Sequence, residues 1–219
     1  MRFFARSLLS ILFVLMVAAC NDQQAPTSQQ PQLTEFIIAA NTPLQYFGQR
    51  MLDHDIEVRM LAPRGSDPAQ WQPSVNDVLQ LQQAQLILLN GAGYSSWLSK
   101  VSISDSALVN TSAAVREQWI ELEGEVSHSH GQGGEHAHGG YAFTTWMDMS
   151  LAQAQAKTIA HALGERWPKK KESIDRKLAA LLADLSTLDE GFMAAATRLR
   201  GRQLVYSHPV YQYFERRYG

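Results

Sequence analysis

Cysteine is almost absent from this 219-residue chain: there is one, Cys20, close to the N-terminus. The chain beyond it can form no internal disulfide and has no thiolate for a structural zinc site. Any metal bound there must be held by histidine and carboxylate. The apolar run 7–17 is too short for a membrane span, which needs about 20 residues. Strong charge of one sign is also lacking. The formal net charge is −2, so no nucleic-acid partner is expected, and Lys169, Lys170 and Lys171 read as a solvated helix start. No HExxH or comparable helical histidine pair is present, which argues against a metallohydrolase. Asn90-Gly91-Ala92-Gly93 has no phosphate-binding lysine after it and reads as a turn. Ser207 and His208 are neighbours on an expected strand, so their side chains are expected to point to opposite faces rather than pair as nucleophile and base. No enzyme is expected.

The N-terminus reads as an address. Arg2 and Arg6 precede the apolar run, and Val17-Ala18-Ala19 leads into Cys20. This resembles the lipobox of bacterial lipoproteins, which implies a lipoprotein signal peptide over residues 1–20 and lipidation at Cys20. A periplasmic or cell-surface, membrane-anchored protein follows from that resemblance. Residues 21–33 are rich in Gln, Pro and Ser and read as a flexible tether. About 185 residues remain, enough for one good core or for one domain and part of another.

Periodicity organises those residues. Residues 35–41 (EFIIAAN) read as a buried strand. Thr42 as N-cap and Pro43 at the first helical position open a helix to about Leu52. Residues 56–61 alternate as a second strand, and a loop over 62–73 leads to a helix capped by Ser74. Residues 85–90 (QLILLN) make a third strand. A short helix near 95–100 precedes a fourth apolar stretch at 107–110. The alternation predicts an α/β fold, a parallel sheet with helices on both faces. Residues 150–167 read as a helix broken at Pro168, and a longer one runs over about 169–199. Its apolar face holds Ile174, Leu178, Leu181, Leu185, Leu188 and Phe192, and at 1.5 Å per residue it spans roughly 45 Å. A helix that long suits a backbone linking two lobes. Residues 203–207 (QLVYS) read as a new strand, ending at His208, with a short aromatic helix after it.

Histidine is the residue present in excess. Four of the seven lie in one stretch, at His128, His130, His136 and His138, interleaved with glycine and flanked by Glu125 and Glu135. So little apolar surface cannot order itself by burial. It can bring several neutral imidazoles to one ion, which favours zinc, copper or nickel over magnesium or calcium.

Several motifs together resemble the solute-binding proteins of zinc and manganese ABC importers, over about residues 35–219. They are the loop 65–73 (GSDPAQWQP) with the helix after it, the strand and turn 86–97 (LILLNGAGYSSW), and Phe143-Thr144-Thr145-Trp146-Met147-Asp148. The last is 206–214 (YSHPVYQYF) with Arg217-Tyr218-Gly219. The His-rich stretch is similar to the insert of the zinc-specific members. The resemblance implies two α/β lobes joined by a rigid helix, with metal held in the cleft between them and passed to a membrane permease. Residues 34–149 are then the N-terminal lobe with its His-rich loop at 125–140. Residues 150–200 are linking helices, and 201–219 begin a second α/β lobe whose sheet the chain ends too early to complete. A monomer is expected, anchored to the membrane by lipid. Zinc is the expected metal, with manganese or another divalent transition ion as the alternative.

Of the histidines that the resemblance implies at the cleft, only His208 is present. Ala69 stands at the first position and Thr144 at the second, and the chain ends before the fourth ligand, an acidic residue of the second lobe. Glu35, Asp67 and Asp148 are carboxylates that would have to substitute, though nothing in the sequence places them there. The candidate metal residues are therefore His208 and the four histidines of the loop. The competing expectation is an interaction or scaffold lipoprotein that has lost metal binding at the cleft.

Overall fold

A computed structural model describes residues 35–122, 126–129, 135–138 and 140–219. The signal segment, Cys20, the tether 21–33, Glu125 and His130 lie outside the described residues. Four strands form one sheet: β1 (Glu35–Ala39), β2 (Ile56–Arg59), β3 (Ile87–Leu89) and β4 (Leu108–Asn110). Their order is β2-β1-β3-β4 and every pairing is parallel. Alternation along the strands splits the apolar residues between two faces. Ile37, Ala39 and Leu88 enter one cluster, while Ile38, Ile87 and Leu89 enter another. A parallel sheet buried on both sides needs such continuous apolar runs.

Helices cover both faces, as the strand–helix alternation predicts. The first face packs on α1 (Thr42–Met51), α3 (Met149–Arg166) and α4 (Lys171–Leu199). The second is closed by Leu81 of α2 (Val75–Gln83) and by Trp97, whose ring meets Trp71 edge-on at 5.6 Å. Helix starts follow capping chemistry. Ser74 and Asp77 form a reciprocal capping box on α2. The cap of α1 is Asn41, one residue earlier than expected: its side chain accepts from the Leu44 amide at 3.0 Å, and Thr42 is already helical. Pro168 ends α3 as expected, because it lacks the N–H that would continue the ladder.

Helix α4 has 29 residues, about 43 Å. Ile174, Leu181 and Leu185 are buried against the sheet side, but Leu188 is 45% exposed. The expected apolar face is thus interrupted at Leu188 and resumes at Phe192, which packs on Phe214 and Tyr218. Lys177 reaches Asp53 and the Leu52 carbonyl, and Arg50 meets Asp184 at 2.6 Å, which pins the first half of the helix to α1 and the turn after it. Among the described residues, no helix is long and apolar enough to cross a membrane.

Two expectations change. The His-rich stretch, expected as a loop, contains an antiparallel ribbon of β5 (Val126–Ser129) and β6 (Glu135–His138). Alternating His and small residues suit a strand's period of two as well as a loop. The strand expected at 203–207 does not form. Gly201 takes a positive φ of 81° just before it, and Val205 is 94% exposed, so the segment lies in solvent rather than in a sheet. Beyond it, α5 (Gln212–Tyr218) folds back. Tyr213 is fully buried there among Ala142 and Leu151.

Candidate metal centre

The candidate cleft is built at the carboxyl ends of the strands, where a buried polar network replaces apolar packing. Asn90 follows β3 and is fully buried. Its amide donates to the Phe143 carbonyl at 2.8 Å and to the Gly91 carbonyl at 3.2 Å. Its oxygen accepts from Asn41 and from Gln155, each at 3.2 Å, and from the Thr145 hydroxyl at 3.4 Å. Gln155 also donates to Thr111, whose hydroxyl donates to the Leu89 carbonyl. One side chain thus ties β1, β3, α3 and the loop at 143–146 together. The turn after it runs left-handed at Gly91, Ala92 and Gly93, with φ of 83°, 49° and 77°. Only glycine fits at 91, since a Cβ there would sit 2.3 Å from the Ser112 hydroxyl and 2.4 Å from Asn110 Oδ1.

The first wall of the cleft is the loop at 62–73. Asp67 accepts from the Ala69 amide at 2.9 Å, so the carboxylate shapes its own turn. Ala69 itself is 1% exposed. Tyr94 stands behind this wall, with its ring edge-on to Phe143 and Trp146 at 5.2 and 5.8 Å. Burial pushes its phenol far above the ordinary range, and the charge of Asp67 adds to that.

The second wall is the loop hung from Asn90. Thr144 is almost buried, and its hydroxyl donates to the Val210 carbonyl at 2.6 Å. The segment carrying His208 is thereby joined to this wall. His208 is exposed, its Nδ1 is 3.0 Å from the Ser207 hydroxyl, and its carbonyl accepts from the Val210 amide. The expectation that Ser207 and His208 point apart is corrected here. It assumed a strand, and the chain bends at this point instead. Tyr206 and Tyr211 stack at 4.4 Å across the bend.

Asp67, Gln70, His208, Val210 and Tyr211 line an open hollow of about 320 Å³. Asp67 and Gln70, on either side of Ala69, thus border His208, and Val210, the partner of Thr144, borders it from the other side. Of the three carboxylates considered as substitutes, only Asp67 reaches this hollow. Glu35 accepts from the Trp167 indole at the opposite end of β1. Asp148 caps α3, accepting from the Ser150 and Leu151 amides, and faces Arg216 and Arg217. Among the described residues, no three His, Cys, Asp or Glu side chains converge as a metal site. A tetrahedral zinc needs four donors, or three and an open position. One imidazole and one engaged carboxylate do not meet that need.

The ribbon is arranged differently. Its register sets His128 opposite His136 and Val126 opposite His138. His138 is two residues along from His136, so all three occupy register positions on one face of the ribbon. Two positioning features were missed in the sequence. Asn90 reads there as a strand end, although a lone amide closing an apolar run is a usable signal. Tyr213 reads as one more aromatic, yet its hydroxyl donates to the Ala142 carbonyl and accepts from the Ile120 amide. Arg217 forms a two-point ion pair with Asp189, which also accepts from the Tyr218 hydroxyl at 2.8 Å. Arg217 holds the Asp189 carboxyl below its ordinary pKa.

A family model described as the periplasmic component A of zinc-uptake complexes (ZnuA) matches residues 37–219. The zinc-binding lipoprotein AdcA of Streptococcus pneumoniae is 24% identical over 216 residues, covering 97% of this chain and 42% of that protein. The manganese ABC transporter substrate-binding lipoprotein PsaA of Streptococcus pneumoniae is 26% identical over 219 residues, covering 96% and 66%. The solved structure of the periplasmic zinc binding protein TroA from Treponema pallidum shares the fold, with a TM-score of 0.70 at 22% identity. That match covers 85% of this chain and 64% of that one. The chain thus spans between 42% and 66% of the length of these relatives.

Proposed function

Because the chain belongs to the ZnuA family, the periplasmic component A of zinc-uptake complexes, we propose that it captures a divalent transition-metal ion for a membrane importer. Zinc is the first choice of cargo and manganese the alternative, in line with the names of AdcA and PsaA. The role is binding and hand-over to an ABC permease, with no covalent step and no catalytic residue. Anchoring through a lipidated Cys20 and the 21–33 tether would hold the protein at the periplasmic or cell surface, as a monomer within reach of the permease.

The observation that carries this reading is the ribbon register, which puts His128, His136 and His138 on one face. Together with His130 they would form the capture site, each imidazole offering one neutral nitrogen. His208 is the single imidazole of the cleft, and alone it would hold zinc weakly. Binding at the ribbon should weaken as pH falls through the imidazole range, about 6.5, because protonation removes the donor lone pair.

A competitive zinc titration tests this, on the full chain, on a variant lacking residues 128–138 and on His208→Ala. Binding with a Kd of about 1 μM or tighter, lost with the ribbon and nearly unchanged in His208→Ala, is the expected result. Absence of binding in the full chain would leave an interaction lipoprotein instead.

A further inference from the structure

We infer that the Thr144 hydroxyl, rather than a cation, seats the segment carrying His208 on the loop hung from Asn90. This inference is independent of metal capture by the ribbon. It starts from what each wall offers. At the first wall, Ala69 presents a buried methyl group, and its amide is committed to Asp67. At the second, Thr144 is neutral, nearly buried and already donating to the Val210 carbonyl at 2.6 Å. The bond joins positions 66 residues apart, from the loop hung on Asn90 to the segment that carries His208.

Neighbouring bonds act in the same sense. The Tyr213 hydroxyl bridges the Ala142 carbonyl and the Ile120 amide three residues beyond Val210. Gln212 donates to the Pro209 carbonyl at 2.7 Å and stiffens the bend between them. The 207–213 segment is therefore seated on the lobe by neutral hydrogen bonds that need no ion. A short, shielded hydroxyl–carbonyl bond of this kind changes the opening equilibrium of the segment about tenfold. His208 and Asp67 border the hollow, two groups where a tetrahedral ion needs three or four donors. Thr144 thus fixes the seating of the 207–213 segment by a bond that needs no metal.

Hydrogen exchange read by mass spectrometry on the peptide covering 205–213 tests this in the full chain. The chain is compared in chelator and in excess zinc, with Thr144→Val and Thr144→Ser alongside. Protection should be the same in chelator and in zinc. Thr144→Val should exchange about tenfold faster at this peptide, while its thermal unfolding stays cooperative, and Thr144→Ser should restore protection by keeping the hydroxyl. A rise in protection of tenfold or more on adding zinc would overturn the inference, because an ion would then be the seating element. So would a Thr144→Val chain with unchanged protection. Loss of the ribbon site affects none of these readouts, so the two readings fail separately.

Discussion

Replacing Asn90 with alanine probes the frame on which the cleft is built. Asn90 is fully buried and bonds four other parts of the fold: Asn41, Gln155, Thr145 and the Phe143 carbonyl. Truncation removes its amide and strands its partners. Gln155 keeps Thr111 as an acceptor, at 3.0 Å. The Asn41 amide and the Thr145 hydroxyl lose theirs, in positions that are 2% and 0% exposed. A buried donor left without a partner costs about 1–3 kcal/mol. The Thr145 bond is long at 3.4 Å and counts at the low end. The total is then about 2–4 kcal/mol. For a domain of this size, 1 kcal/mol moves the midpoint by about 2–4 °C, so thermal unfolding should fall by about 10 °C. Calorimetry or circular dichroism on residues 34–219, which form one compact unit, reads this directly. Hydrogen exchange should speed up most at 143–146, because Asn90 holds that loop. A shift below about 3 °C, or uniform loosening with no focus on 143–146, would refute the view that this side chain organises the cleft.

The C-terminal helix supplies two further tests. Tyr213→Phe keeps the ring but removes a hydroxyl that serves two backbone groups, so urea unfolding should report a loss of about 2–3 kcal/mol and faster exchange over 210–219. Asp189 has its pKa lowered by Arg217, so its contribution to stability is present above the unfolded value of about 3.9 and is lost as pH falls through the lower folded value. Asp189→Asn should therefore lower stability at pH 7 and flatten the acid limb of the stability curve between about pH 5 and 2. An acid limb as steep as that of the parent would show that the pairing contributes nothing.

Much of the first lobe is legible from local chemistry. The runs EFIIA, IEVR and ILL are apolar on alternating or both faces and can be satisfied only inside a sheet. Ser74 with Asp77, and Pro168 after Trp167, mark helix limits by hydrogen bonds that involve only near neighbours in sequence. The misreadings share one cause. QLVYS has the composition of a strand, but a strand needs an edge to pair with, and that is a property of the assembled sheet. The reading of Ser207 and His208 failed with it. The stripe on α4 shows the same limit: Leu185 and Leu188 look alike in the pattern, yet one is 7% and the other 45% exposed. Periodicity shows which face of a helix is apolar, not which positions on that face a neighbour covers: Phe192 beyond Leu188 packs again, on Phe214 and Tyr218.

The site divides in the same way. Composition alone placed four imidazoles in one stretch, removed thiolates as ligands, and put alanine and threonine where the resemblance implies histidine. Those are facts of residue identity, and folding cannot alter them. Only the tertiary structure decided that Asp67 borders the hollow while Glu35 and Asp148 do not, and that Asn90 carries the 143–146 loop. The same holds for the Thr144 hydroxyl, which meets a carbonyl 66 residues away. Which donor reaches which acceptor depends on distances of a few ångströms between remote parts of the chain, and packing alone sets those distances.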